Sequence, residues 1–174
     1  MSEKKALRTL VHGMLFLMIE EIIVLAVLSY ILWQRKILTL DTKTVVISIA
    51  VLFLLIFGYL YLEHGFNTLI GQGKYVREGR YGATNLLRSL ILFIISGIFA
   101  LVSFNEPNER YLFILISTVF LITGFILQFI GNISLGIGFR QIGEIYAENH
   151  LKNGGSLLIS AVILAVIILS AFII

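Results

Sequence analysis

The sequence predicts an all-α integral membrane protein with five transmembrane helices in one bundle. Five long apolar stretches occupy most of the 174 residues, and 59% of all residues are hydrophobic while only 13% are charged. Soluble domains average about 45–50% apolar and about 25% charged residues, so this composition is typical of a protein embedded in lipid. The mean hydropathy is +1.00. Because hydrocarbon offers no water to satisfy backbone amides, apolar runs of about 20 residues are expected to be helices.

The five helices are expected at about 10–32, 44–62, 86–104, 112–133 and 156–174, in a single polytopic domain of residues 1–174. The first apolar stretch is longer than a signal-peptide core of about 7–15 residues, so we expect this helix to be retained. Polar Asn105–Arg110 predicts a tight turn, and glycine-rich Glu63–Asn85 predicts the longest connection. Alternating charged and apolar residues extend the fourth helix toward residue 148, before a turn at Asn153-Gly154-Gly155.

Lys and Arg residues predict the orientation, because cytoplasmic loops carry an excess of them. Five spans place nine of these residues on one side and four on the other. The first group is Lys4, Lys5, Arg8, Lys74, Arg77, Arg80, Arg88, Arg140 and Lys152, and the second is Arg35, Lys36, Lys43 and Arg110. The N-terminus is therefore expected in the cytoplasm and the C-terminus outside, in a multi-pass protein of the cell membrane.

Two adjacent carboxylates, Glu20 and Glu21, lie near the middle of the first span. An unpaired charge at that depth costs about 2.5–3.5 kcal/mol on insertion scales, so such residues are functional-site candidates. The other four spans place no Lys, Arg or His there, and Ser96 and Thr123 are the polar residues of similar depth. The carboxyls are therefore protonated, line a hydrated path, or meet a group on another chain. Neighbouring helical residues project about 100° apart, so only one can point squarely at a given partner.

The fourth span carries a candidate helix-packing face. Its glycines recur every seven residues and form one ridge, which lets another backbone approach closely. Two amides four residues apart share a helix face, from which they can bond to a neighbouring helix. The residues are Gly124, Gly131 and Gly138 for the ridge and Gln128 and Asn132 for the amides. Ser89, Ser96 and Ser103 form a similar strip on the third helix. We expect packing within the bundle rather than a ligand site.

No catalytic, nucleotide-binding or metal signature is present, so no catalytic residue, metal or cofactor is expected. The chain has no cysteine, and its three histidines lack zinc-site spacing. Gly71-Gln-Gly73-Lys74 is followed by Tyr75 rather than Ser or Thr, so it is not a phosphate-binding loop. Lys74, Arg77 and Arg80 are instead expected to contact anionic lipid head groups.

The segment from Ile133, with Gly-Phe-Arg-x-x-Gly-Glu-x-Tyr at Gly138–Tyr146, resembles an archaeal membrane family catalogued as domain of unknown function 973. Gly65-Phe66, Gly71-x-Gly73 and Tyr81-Gly82 also resemble the central loop of that family. The similarity covers about Glu63 to Ile174, whereas Glu20-Glu21 departs from the family pattern. The resemblance implies a polytopic helical membrane protein of archaeal type, with no assigned activity and no catalytic residue to carry over.

These observations favour a non-catalytic structural or accessory subunit of a larger membrane complex, with a respiratory complex as one candidate. The expected partners are the lipid bilayer and other membrane subunits, and no nucleic acid. The alternative is a small homo-oligomeric transporter or a proton or cation channel that uses Glu20 and Glu21. A third hypothesis, an enzyme acting on lipid, would recruit Arg140, Glu144, Tyr146 and His150, although these residues also fit a solvated amphipathic face.

Overall fold

The computed structural model of the protein describes residues 2–34, 42–106 and 108–171, with side chains described at 2–27, 46–106, 108–164 and 167. Within these residues the chain forms helices and no strand, which confirms the all-α prediction. The helices are α1 (Glu3–Gln34), α2 (Thr42–Gly71), α3 (Arg77–Asn105), α4 (Arg110–Ile145) and α5 (Asn149–Ala171). The predicted turn at Asn105–Arg110 is confirmed, since α3 and α4 end and begin there.

Four of the helices, α1 to α4, are long and apolar enough to cross a bilayer. Their described spans cover residues 3–27, 46–71, 77–105 and 110–145. The fifth predicted span, 156–174, lies partly outside the described residues. Pro107 and the side chains of Arg35, Lys36 and Lys43, on which part of the predicted orientation depends, also lie outside them.

The predicted connection Glu63–Asn85 is wrong for most of its length. Helix α2 continues to Gly71 and α3 begins at Arg77, so only residues 72–76 separate them. Leu62, Phe66 and Leu69 recur at helical spacing and are fully buried. An apolar stripe of this spacing stabilises the helix past residue 62, so Gly65 lies within α2, whereas Gly71 ends α2 and Gly73 lies in the short connection with φ of 80°.

The predicted turn at Asn153-Gly154-Gly155 is also wrong, because α5 begins at Asn149. The α4–α5 turn instead uses Ala147 in the left-handed region, with φ of 55°. The Glu148 N–H donates to the Gly143 carbonyl at 2.8 Å, as in a Schellman motif. Glycine rather than alanine usually occupies the left-handed position, so this turn could not be predicted from the sequence.

The chain divides into two compact units, residues 1–72 with α1 and α2, and residues 73–174 with α3, α4 and α5. In the first unit α1 packs on α2, and in the second α4 packs on both α3 and α5. Glycines bring the helices of the second unit into close contact. A Cβ at Gly82 of α3 would lie 2.7 Å from the Gly131 carbonyl oxygen of α4, and one at Gly136 of α4 would lie 2.8 Å from the Gly155 carbonyl oxygen of α5.

We predict that Gly82→Ala destabilises the second unit. The added methyl would meet the α4 backbone, which cannot turn aside as a side chain can, so α3 and α4 must separate. Overpacking of this kind typically costs about 1–3 kcal/mol. The measurement is reversible unfolding of the purified protein in detergent micelles.

Gly97→Ala is the matched control on the same helix, because a Cβ at Gly97 meets nothing within 4 Å. It should leave the free energy of unfolding nearly unchanged. Equal destabilisation by both substitutions would contradict the packing argument.

Candidate functional site

The two helices of the first unit interlock through leucines and glycines. A Cβ at Gly65 of α2 would lie 2.6 Å from Leu10 of α1, and one at Gly58 would lie 2.6 Å from Leu17. On α1, a Cβ at Gly13 would lie 2.9 Å from Leu62 of α2. Facing residue numbers therefore add to 75, which defines the antiparallel register of α1 and α2.

This register separates the two carboxylates. Glu20 follows Phe16 by four residues and Leu17 by three, and both of these side chains contact α2, so Glu20 continues the α2-facing stripe of α1. It is level with Leu55 of α2 and half-buried, whereas Glu21 is exposed. No hydrogen bond or ion pair involves either carboxyl among the described residues. Glu20 thus belongs to the interior of the α1–α2 pair, and Glu21 to its outer surface.

Ser96 and Thr123, the predicted polar neighbours at similar depth, lie in the second unit and do not meet. Ser96 contacts α4 at Ser117: the Ser96 hydroxyl donates to the Ser117 carbonyl at 2.9 Å, and the Ser117 hydroxyl donates to the Ser96 carbonyl at 3.0 Å. Thr123 is exposed and its hydroxyl donates to the Val119 carbonyl of its own helix at 2.8 Å. Sequence reasoning missed Ser117, which forms the reciprocal contact.

The glycine and amide face of α4 packs on α3. A Cβ at Gly124 would lie 2.6 Å from the Phe93 ring, and one at Gly131 would lie 2.8 Å from Leu86. Facing residue numbers in this pair add to 217. Gly138, the third residue of the ridge, is also buried. At Gly124 and Gly131 the ridge is therefore already packed against α3 of the same chain.

Gln128 approaches the buried Ser89 of α3. The Ser89 hydroxyl oxygen lies 2.7 Å from Gln128 Oε1 and 2.8 Å from the Leu86 carbonyl oxygen. One hydroxyl has one hydrogen, so the Ser89 hydroxyl donates to only one of these two oxygens at a time. Rotating the Gln128 amide would let it donate to Ser89 while Ser89 donates to Leu86. Either arrangement joins α3 to α4 by a polar contact.

A buried amide lies one turn further along the same interface. Asn85 is 1% exposed, and its Nδ2 has no hydrogen-bond partner among the described residues. The register that matches Ser89 with Gln128 places Asn85 level with the half-buried Asn132 of α4. Asn85, which sequence reasoning missed, therefore extends the polar strip of Ser89, Ser96 and Ser103, all of which are buried.

The basic residues expected at lipid head groups lie around the 72–76 connection and the first turn of α3. The Lys74 ammonium lies 5.6 Å from the centroid of the Tyr146 ring, at cation–π distance, and this links the connection to the α4–α5 turn. Arg77 and Arg80 are exposed. Tyr75 is 75% exposed beside them, as interfacial tyrosines are.

The four residues of the lipid-enzyme hypothesis do not come together as a reaction centre in the described part of the chain. Arg140 Nε donates to Glu144 Oε1 at 3.2 Å in an exposed pair one helical turn apart. Tyr146 faces Lys74, and His150 is exposed. Such i,i+4 pairs contribute only about 0.3–0.5 kcal/mol and are common on solvated helix faces. Among the described residues, no three His, Asp or Glu side chains form a group able to hold a metal ion.

Long apolar helices, glycine-mediated contacts and interhelical serine and amide hydrogen bonds define a polytopic helical membrane protein. The model of the family described as protein of unknown function (DUF973) matches residues 3–174, and the chain belongs to this family. The resemblance read from Gly138–Tyr146 is therefore confirmed, while archaeal origin stays a prediction. No curated protein and no solved structure matches the chain.

We predict that the Ser96–Ser117 contact couples α3 to α4. Ser96→Ala and Ser117→Ala should each lower the free energy of unfolding by about 0.6 kcal/mol, a typical value for interhelical hydrogen bonds in membranes. The double variant should lose less than the sum, because each hydroxyl shares its partner residue with the other. A double-mutant cycle in detergent measures this coupling.

Thr118→Val is the control, since the Thr118 hydroxyl donates to Ile114 of its own helix at 2.8 Å. It should change stability little. Strict additivity of the two serine substitutions would show that the contact carries no coupling.

Proposed function

We propose that this protein is a non-catalytic accessory subunit of a larger membrane complex. The observation that carries the proposal is the position of Glu21, exposed on the outer surface of the α1–α2 pair near mid-span. A lipid-facing charge there is costly, and a polar or cationic group on a neighbouring membrane subunit would offset that cost. A respiratory complex is one candidate assembly. The lipid bilayer and other membrane subunits are the proposed partners.

The packing of α4 supports α1 as the partner-facing helix. Gly124 and Gly131 already contact α3, and Gly136 contacts α5, so these glycines are used within the chain. Small residues that are already covered cannot admit a second backbone. Glu21 takes part in none of the described contacts between α1 and α2, which on α1 involve Leu10, Gly13, Leu17 and the rings of His12 and Phe16.

For the topology we propose five spans gathered in one bundle in the cell membrane, with the N-terminus in the cytoplasm and the C-terminus outside. The nine-to-four distribution of Lys and Arg supports it. The α3–α4 turn then lies outside, and the 72–76 connection lies inside together with the α4–α5 turn.

We expect a reporter fused after residue 174 to be active only outside the membrane, and one fused at residue 73 only inside. Paired fusions to a phosphatase that works outside and a fluorescent protein that folds inside measure this. An internal C-terminus would contradict the fifth span, and exchanged sides at both positions would contradict the orientation.

The subunit proposal predicts that the tagged protein, gently solubilised from its native membrane, migrates with stoichiometric partners on a native gel. Glu21→Gln should reduce the recovered partner at least about tenfold, because breaking a buried polar or ionic pair costs several kcal/mol. Mass spectrometry of the band identifies and quantifies the partner.

Glu20→Gln is the matched control one residue away, since Glu20 faces α2 and should leave partner recovery largely intact. Migration alone or as a homo-oligomer would contradict the subunit proposal and favour the transporter. Proton flux into vesicles that is abolished by either substitution would then establish the carboxylates as its path.

A further inference from the structure

The strongest unassigned feature is a basic face on the first part of α3. Arg77, Tyr81 and Arg88 are exposed and fall within a narrow sector of the helix, since eleven residues are slightly more than three full turns and four are slightly more than one. At 100° per residue this sector points roughly 140° away from the stripe of Gly82 and Leu86 that contacts α4. The face is therefore not used in packing against α4.

The positive charge of this face is not neutralised within the described part of the chain. No described hydrogen bond or ion pair involves the guanidinium groups of Arg77, Arg80 or Arg88, in contrast to Arg140, which pairs with Glu144. The first twelve residues of α3 carry these three arginines and one acid, Glu78. An anion from outside the chain would complement this charge.

The depth of Arg88 restricts what that anion can be. The polar turn after Asn105 marks one edge of the hydrocarbon, and about 20 residues counted back along α3 place the other edge near residue 85. Arg88 thus begins roughly 4 Å inside the hydrocarbon at 1.5 Å per residue. A long basic side chain at such a position extends to the interface to keep its charge among polar groups.

Helix direction determines which way Arg88 extends. Cα–Cβ bonds tilt toward the helix N-terminus, and long side chains follow them over the preceding turn. In α3 the N-terminal side is the nearer interface, so we expect Arg88 to extend past Thr84 toward Tyr81. The Thr84 hydroxyl donates to the Arg80 carbonyl at 3.0 Å. Tyr81 is 55% exposed, and its ring and hydroxyl suit the interfacial zone.

We propose that Arg88 and Tyr81 form a binding site for the phosphate of an anionic phospholipid, on a face to which Arg77 adds positive charge about 16 Å further toward the interface. Arg88 donates to the phosphate from below, while the acyl chains lie along the exposed apolar surface of α3 that begins at Ile91. The site differs from general attraction of Lys74, Arg77 and Arg80 to head groups, because Arg88 fixes the depth and position of one phosphate. It does not depend on the proposed partner subunit.

The test uses the purified full chain in vesicles of phosphatidylcholine with about a quarter phosphatidylglycerol. Spin-labelled versions of the two lipids measure the ratio of anionic to neutral lipid at the protein surface. Arg88→Gln should lower this ratio about fivefold, which corresponds to the ~1 kcal/mol of one charge near the surface. Arg88→Lys should retain part of the preference, and Tyr81→Phe should lose less than Arg88→Gln.

Arg110→Gln is the matched control, because Arg110 is exposed at the start of α4 beside the Phe104 ring, far from the α3 basic face. It should leave the ratio unchanged.

An unchanged ratio in Arg88→Gln, or an equal fall in Arg110→Gln, would overturn the proposal in favour of non-specific attraction. Displacement of the labelled lipid by millimolar inorganic phosphate would overturn it in favour of a free-phosphate site. Should Arg88→Gln fail to fold, the Tyr81→Phe and Arg88→Lys ratios decide, and wild-type ratios in both would count against the site.

Discussion

Backbone contact at glycine is the constraint on which the arrangement of the second unit depends. Hydrocarbon provides no hydrophobic force to press helices together, so close approach and interhelical hydrogen bonds must hold them. Gly82 and Gly131 bring the N-terminal half of α3 and the C-terminal half of α4 together, and Gly136 and Gly155 bring α4 to α5. Helix α4 packs between α3 and α5. A larger side chain at either interface would therefore displace α4 and disturb the other interface. The serine contacts depend on this approach, since Ser96 reaches the Ser117 carbonyl at 2.9 Å only when the helices nearly touch.

The helix identities could be predicted from the sequence, whereas two of the connections could not. Apolar length predicts a span but not where the helix stops, and α2 continues to Gly71 because Leu62, Phe66 and Leu69 remain on one buried face. The glycines of Glu63–Asn85 suggested a loop, yet Gly65 and Gly82 serve as contact points within helices. Asn153-Gly154-Gly155 suggested a turn for the same reason, and Gly155 instead packs on α4. In a membrane protein glycine marks close packing as readily as a break, and only the facing helix distinguishes the two.

Much of the pattern of polar contacts between α3 and α4 could be predicted from the position of the turn that joins them. A tight turn centred between residues 107 and 108 requires facing residue numbers to add to about 215, and the observed pairs add to 217. That rule matches Ser89 with Gln128 and Asn85 with Asn132. It leaves an uncertainty of about one turn, which is why Ser117 rather than a residue near 121 meets Ser96. Rotation of each helix about its axis depends on side-chain fit, such as Phe93 against Gly124, which no spacing rule provides.

The charged residues show why burial must be known before a function is assigned. Glu20 and Glu21 are adjacent in sequence and look like one acidic site. In the structure Glu20 lies at the α1–α2 interface and Glu21 is exposed on the outer surface. They therefore need not share a role. Conversely, Arg77 and Arg88 are eleven residues apart in sequence and fall on one face of α3 because that face repeats nearly every eleven residues. The same helix carries glycine and serine toward α4 and arginine away from it, so its two faces can serve assembly and lipid binding independently.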